Sequence, residues 1–144
     1  MQVPSQNLKD VIASSRTVAV QYEHEAISTA HLLTALLQSA DVSTVDSIYG
    51  LVQSKEQLQL SVAEYAKNYE KYEQSEILPS ADGVPPGAIP LTNNAEEVVK
   101  ETLSTTADVK GLLRSITNYT DSSAYMALSD SLDITKLKAM LESE

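Results

Sequence analysis

The chain has 144 residues, enough for one domain with a core of its own. It carries 20 acidic and 10 basic side chains, a formal net charge of -10, and no Lys/Arg cluster, so a duplex or a phosphate surface repels it. With no cysteine, disulfides, thiol catalysis and cysteine-based zinc sites are excluded, which fits a reducing compartment. The opening MQVPSQNLKD has neither a basic n-region nor an apolar h-region, and no apolar run reaches the roughly 20 residues of a membrane helix. The expectation is a cytoplasmic protein without membrane or nucleic-acid partners. All seven aromatic residues are Tyr, so the core must come from Leu, Val, Ile and Ala.

In chain order, Ser5 is an N-cap, and Leu8, Val11, Ile12, Ser15, Val18, Ala19 and Tyr22 recur at helical spacing over about four turns. A second helix follows in ISTAHLLTALLQS, with Ser28 or Thr29 as its cap and Leu32, Leu33, Leu36 and Leu37 forming a wide apolar face. After QSAD comes a short helix with Val45, Ile48 and Tyr49 inward. A fourth helix opens at Ser54 and carries Leu58, Val62, Tyr65, Ala66, Tyr69 and Tyr72 in register.

ILPSADGVPPGAIPLTNN then holds four of the five prolines and two of the four glycines, and excludes regular helix or central strand. It is an ordered connector or a flexible loop. Beyond it the pattern restarts: a cap at Thr92 or Asn93 followed by Ala95, Val98, Val99 and Leu103; a second Leu pair at Leu112 and Leu113; a short helix; and a last one capped by Asp133 with Leu137, Met140 and Leu141. No segment alternates as a strand does. The fold class is all-α, with about eight helices.

The two halves match. Leu8-x-x-Val11-Ile12 pairs with Ala95-x-x-Val98-Val99, Leu32-Leu33 with Leu112-Leu113, and Ser54-x-x-x-Leu58 with Asp133-x-x-x-Leu137. The reading is one domain over 1–144 made of two pseudo-repeated four-helix units, about 5–76 and 92–144, joined by the connector 77–91. The second unit is shorter by about two helical turns or most of a loop.

This layout, with Ile27-Ser28-Thr29-Ala30-His31-Leu32-Leu33-Thr34-Ala35-Leu36-Leu37, the Ser54/Leu58 cap and the PLTNNAEEVVKETL restart, resembles the N-terminal domain of Clp-type AAA+ unfoldases. The resemblance implies a monomeric domain that captures protein substrates or adaptors for an AAA+ ATPase module in cis or in trans, without a cofactor. None of the glycines at 50, 83, 87 and 111 is followed by Lys-Ser or Lys-Thr, so the chain has no Walker phosphate loop and is not read as an enzyme. It is an excised N-domain or a stand-alone relative. Where family members recognise phosphoarginine, a Glu precedes the histidine; Ala30 and Lys110 stand at those two positions here, which puts that activity in doubt. The Ala-His-Leu-Leu form and the Tyr-bearing fourth helix are more similar to the type VI secretion branch, the ClpV-like proteins, whose N-domain receives a helix of the contractile sheath.

Candidate partner-binding residues are Val3, Leu8 and Val11, as a helix-in-groove wall or as ordinary core, and Tyr65 and Tyr69, as a docking stripe with Tyr72 or as packing against the connector. Thr29, His31, Leu32 and Leu33 are the structural motif of the second helix. His31 has His24 seven residues away, flanked by Glu23 and Glu25, which leaves a small helical metal protein or enzyme as the competing class. Zinc or iron wants three or four convergent ligands, and the chain has two histidines. The plainer reading is that His31 packs between helices and hydrogen-bonds a neighbouring group, with no catalytic, cofactor or metal residue assigned. The acidic pairs Glu96-Glu97 and Glu142/Glu144 read as solvated faces and helix ends.

Overall fold

The computed structural model describes residues 4–24, 26–39, 42–73 and 91–142. Among these the chain forms eight α-helices and one 3₁₀ turn: α1 (Gln6–Gln21), α2 (Thr29–Ser39), α3 (Val42–Tyr49), α4 (Lys55–Lys67), the turn Tyr69–Lys71, α5 (Asn93–Ser104), α6 (Val109–Asn118), α7 (Ser123–Ser131) and α8 (Ile134–Glu142). The described residues contain no strand. Ile27 and Leu91 form an isolated parallel bridge, and Thr92 N–H donates to the Ile27 carbonyl at 2.9 Å beside it. The connector read as 77–91 lies outside the described residues apart from Leu91, as do residues 74–76 at the end of the first unit.

Helices begin where a short polar side chain can take an amide that has no partner within the helix. Ser5 Oγ accepts from Leu8 N–H at 3.1 Å, Ser54 Oγ from Gln57 at 3.2 Å, and Thr92 Oγ1 from Ala95 at 3.1 Å. Asp108 Oδ1 caps α6 through Gly111 N–H at 2.7 Å, Ser122 Oγ caps α7 through Tyr125 at 3.2 Å, and Asp133 Oδ1 takes Thr135 N–H at 2.9 Å.

These caps align the two halves. Leu8 and Ala95 both stand three residues past their caps and are both buried, and Val11 and Val98 follow one turn later with no exposed surface. Leu32, Leu33, Leu112 and Leu113 are all fully buried, as are Leu58 and Leu137. The shortening of the second half is neither two turns nor most of a loop. Helix α1 has 16 residues against 12 in α5, and the following link runs over 22–28 against 105–108, so one helical turn and part of a loop are missing.

Helix α2 is apolar nearly all round, the pattern of a helix enclosed by others. It packs against α1, α4, α5, α6 and α7. Around it the remaining helices turn one apolar stripe inward, and a single main core takes buried side chains from every helix, including Leu8 and Val11 of α1 and Leu141 of α8. No helix among the described residues is long and apolar enough to cross a membrane.

Candidate functional site

The two histidines meet where α1 ends and α2 begins. Past Gln21 the chain closes with Glu23 N–H on Val20 O and His24 N–H on Ala19 O, both at 2.9 Å, and with Glu23 in the left-handed region at φ 59°. That pair of bonds is a Schellman closure, in which glycine is the usual occupant of the left-handed position. It swings His24 back toward the start of α2. There Ser28 Oγ accepts from His31 N–H at 3.3 Å, while Ser28 N–H donates to His31 Nδ1 at 2.8 Å. This is a capping box, with an imidazole where Glu or Gln normally stands.

The geometry dictates the tautomers. A backbone N–H can only donate, so His31 Nδ1 is the lone-pair nitrogen and the proton sits on Nε2. Nε2–H then donates to His24 Nδ1 at 2.8 Å, which leaves the His24 proton on its outer nitrogen. The Tyr22 ring stacks on His24 at 5.3 Å between centroids, and the Tyr69 ring meets His31 edge-on at 5.3 Å. Burial, and then the neighbouring His24, push His31 down to about 3. Burial lowers His24 as well, against the pull of Glu70. Both rings are therefore neutral, and both nitrogens of His31 are engaged. A metal ion would have to compete with those bonds, and no group of three or more His, Asp or Glu side chains among the described residues is placed to share one.

Glu73 is the feature the sequence conceals. It is 2% exposed and collects five donors. Oε1 accepts from Thr29 N–H at 3.0 Å and from Thr92 Oγ1 at 2.6 Å. Oε2 accepts from Ser123 N–H and Ser123 Oγ, each at 2.7 Å, and from Thr29 Oγ1. The starts of α2 and α7 face each other here and exchange caps: Ser123 Oγ accepts from Ala30 N–H at 3.3 Å, and Thr29 Oγ1 accepts from Ala124 N–H at 3.0 Å. Thr92, which caps α5, brings a third helix start to the same carboxylate. Each helix start carries a partial positive charge of roughly half a unit, so an acceptor-only group suits their meeting point. The donors come from positions 29, 92 and 123, so no local spacing announces the site.

Between α2, α3 and α4 lies a cleft of about 320 Å³, lined by Tyr22, Thr34, Leu37, Gln38, Tyr49, Gln59, Val62 and Ala63. None of these residues is charged. Gln59 Nε2 donates to Tyr49 Oη at 3.1 Å, and Lys55 Nζ sits 4.8 Å from the centre of the Tyr49 ring. A more polar depression of about 410 Å³ lies between the start of α4 and the α7–α8 turn.

The structure separates the residues proposed as a partner surface. Leu8 and Val11 belong to the core, at 1% and 0% exposure, because their stripe faces the other helices. Tyr69 is 4% exposed: α4 stops at Lys67, and the 3₁₀ turn rotates Tyr69 inward onto the histidines. Tyr65 is half-buried with its hydroxyl on Asp130 at 2.7 Å, and Tyr72 is exposed, so the three tyrosines do not form one helical stripe. Val3 lies outside the described residues. Thr29, His31, Leu32 and Leu33 are all fully buried at the start of α2.

Among the described residues, eight helices around one main core, with the starts of three of them meeting at a buried carboxylate, define an all-α helical domain. The Clp repeat (R) N-terminal domain model matches residues 4–131, and the chain belongs to that family. Its fold is shared with the Hsp104 N-terminal domain from Candida albicans at 12% identity and a TM-score of 0.68, covering 97% of this chain and 89% of that one. It is shared likewise with a chain described in preliminary structural investigations of a malarial protein secretion system, at 16% identity and a TM-score of 0.71, covering 97% and 92%. No curated protein matches by sequence.

Proposed function

We propose that this chain is the recruiting domain of a Clp-type AAA+ unfoldase: it grips a substrate or adaptor protein and leaves the work to an ATPase module in cis or in trans. The observation that carries this reading is the family match over 4–131, in a fold whose one histidine pair is spent on capping a helix. The surface best suited to gripping is the α2–α3–α4 cleft. Tyrosine is favoured where an apolar body and a polar edge must both be satisfied, and amide side chains such as Gln38 and Gln59 can pair with a peptide backbone. The domain acts as a monomer in the cytoplasm, with no cofactor and no catalysis of its own.

Ala30 favours a branch that does not read phosphoarginine. It is fully buried, and its amide is bonded to Ser123 Oγ, where phosphoarginine-reading relatives carry a glutamate. That is the setting for the ClpV-like reading, in which the occupant is a helix of a sheath protein.

The test is an array of overlapping peptides from unfolded proteins and from sheath proteins, probed with the wild-type chain and with Ala63→Arg, which fills the cleft from its wall. Loss of at least tenfold in affinity, with circular dichroism and melting unchanged, supports the cleft. Peptides that bind both chains equally refute the cleft, and an array with no binder refutes recruitment.

A further inference from the structure

The α2–α5–α7 junction has the chemistry of an anion site, and its occupant is the chain's own residue 73. The side chains that make it, Thr29, Thr92 and Ser123, are each fully buried, and every polar contact of the carboxylate is with a donor. Two of those donors are backbone amides at the first position of α2 and of α7, which cannot turn away when the acceptor leaves. The hydroxyls of Thr29 and Ser123 are held from behind by Ala124 and Ala30 amides, so their protons stay aimed at the carboxylate. The donors divide between two oxygens, two on Oε1 and three on Oε2, which matches a planar carboxylate rather than a tetrahedral oxyanion.

We propose that the junction is a preorganised carboxylate-binding site filled by an internal ligand, Glu73, and that it accepts a free carboxylate of matching size once Glu73 is shortened. The heavy atoms of glutamate beyond Cβ are those of acetate. Glu73→Ala therefore leaves a hole that formate fills with room for a non-bonded gap, and Glu73→Gly leaves one that acetate fills. Seating the ligand fixes three helix starts drawn from both repeats, so residue 73 latches the first unit to the second at one point.

The experiment is thermal melting of the full chain as wild type, Glu73→Ala and Glu73→Gly, in sodium formate, acetate, phosphate or chloride at equal ionic strength. Amide exchange at Thr29 and Ser123 is followed in the same solutions. The expected result is a saturable rise of about 3–6 °C for Glu73→Ala in formate and for Glu73→Gly in acetate at roughly ten times the dissociation constant, with none in wild type. Exchange at the two amides should slow together with that rise. If a variant is unfolded in chloride, refolding on addition of its carboxylate is the same positive result. Equal shifts in wild type, equal shifts from chloride, or no response to either carboxylate overturn the proposal. A response to phosphate without one to carboxylate overturns the assigned ligand class.

Discussion

Replacing His31 separates its capping role from its bulk. His31→Ala leaves the Ser28 N–H without its acceptor inside the fold, removes the donor to His24 Nδ1, and empties the space between Tyr69 and α2. An orphaned buried amide costs about 1–3 kcal/mol, and the void of a deleted ring adds a similar amount after partial collapse. A loss of about 3–4 kcal/mol lowers Tm by roughly 6–16 °C for a chain of this size. His31→Gln is the informative partner, because Gln at this position is an ordinary capping-box acceptor. It restores the bond to Ser28 and forfeits the His24 bond and the ring contact, for about 1–2 kcal/mol. Acid sensitivity provides an independent readout. His31 has its native value near 3 and an unfolded value of 6.5, so its neutral form contributes stability that is complete above pH 6.5. That stability is lost as pH falls from 6.5 toward 3, by up to about 1.4 kcal/mol per pH unit. Urea unfolding at pH 7.5 and 5 should show a gap between wild type and His31→Gln that narrows at the lower pH. If His31→Ala and His31→Gln cost the same, or the gap between wild type and His31→Gln is independent of pH, the capping-box account of this histidine is wrong.

Gly111 holds the position in α6 that His31 holds in α2, and a Cβ there would meet Thr106 Oγ1 at 2.0 Å and Asp108 Oδ1 at 3.1 Å. The usual gain of about 1 kcal/mol for Gly→Ala inside a helix should therefore be absent in Gly111→Ala and emerge in Gly111→Ala/Thr106→Ala relative to Thr106→Ala, as measured by chemical denaturation. Glu23→Gly relieves a left-handed non-glycine residue at φ 59° and should raise Tm by about 2–4 °C; a fall in Tm would show that the Glu23 side chain stabilises the turn by other means. Tyr65 is pushed up to about 12, first by its hydrogen bond to Asp130 and then by burial. Ultraviolet titration should show a late-titrating tyrosine that disappears in Tyr65→Phe, and the stability linked to it is complete below pH 10 and lost as pH rises through 12.

The parts of this fold written in the sequence are those set by neighbours within one turn. Ser5, Ser54 and Thr92 announce helix starts because a cap and its amide lie three residues apart, and each makes that bond. The Leu-Leu pairs announce α2 and α6 because two adjacent leucines widen a helix's apolar face, and all four side chains are fully buried. Periodicity failed at Tyr69, where the apolar spacing continues but the backbone does not. Asn68 Nδ2 donates to the Glu64 carbonyl at 2.9 Å, α4 ends, and three residues per turn replace 3.6. That change of pitch sends Tyr69 to the histidines rather than along a docking stripe. Glu73 was invisible for a different reason. In NYEKYEQSE it reads as one more solvated charge, and what makes it a keystone is the arrival of Thr29, Thr92 and Ser123 from three other helix starts. Three helix starts that meet at one point bring like ends of their dipoles together, and like ends repel. The buried carboxylate of Glu73 sits at that point, takes up their donors and offsets the repulsion.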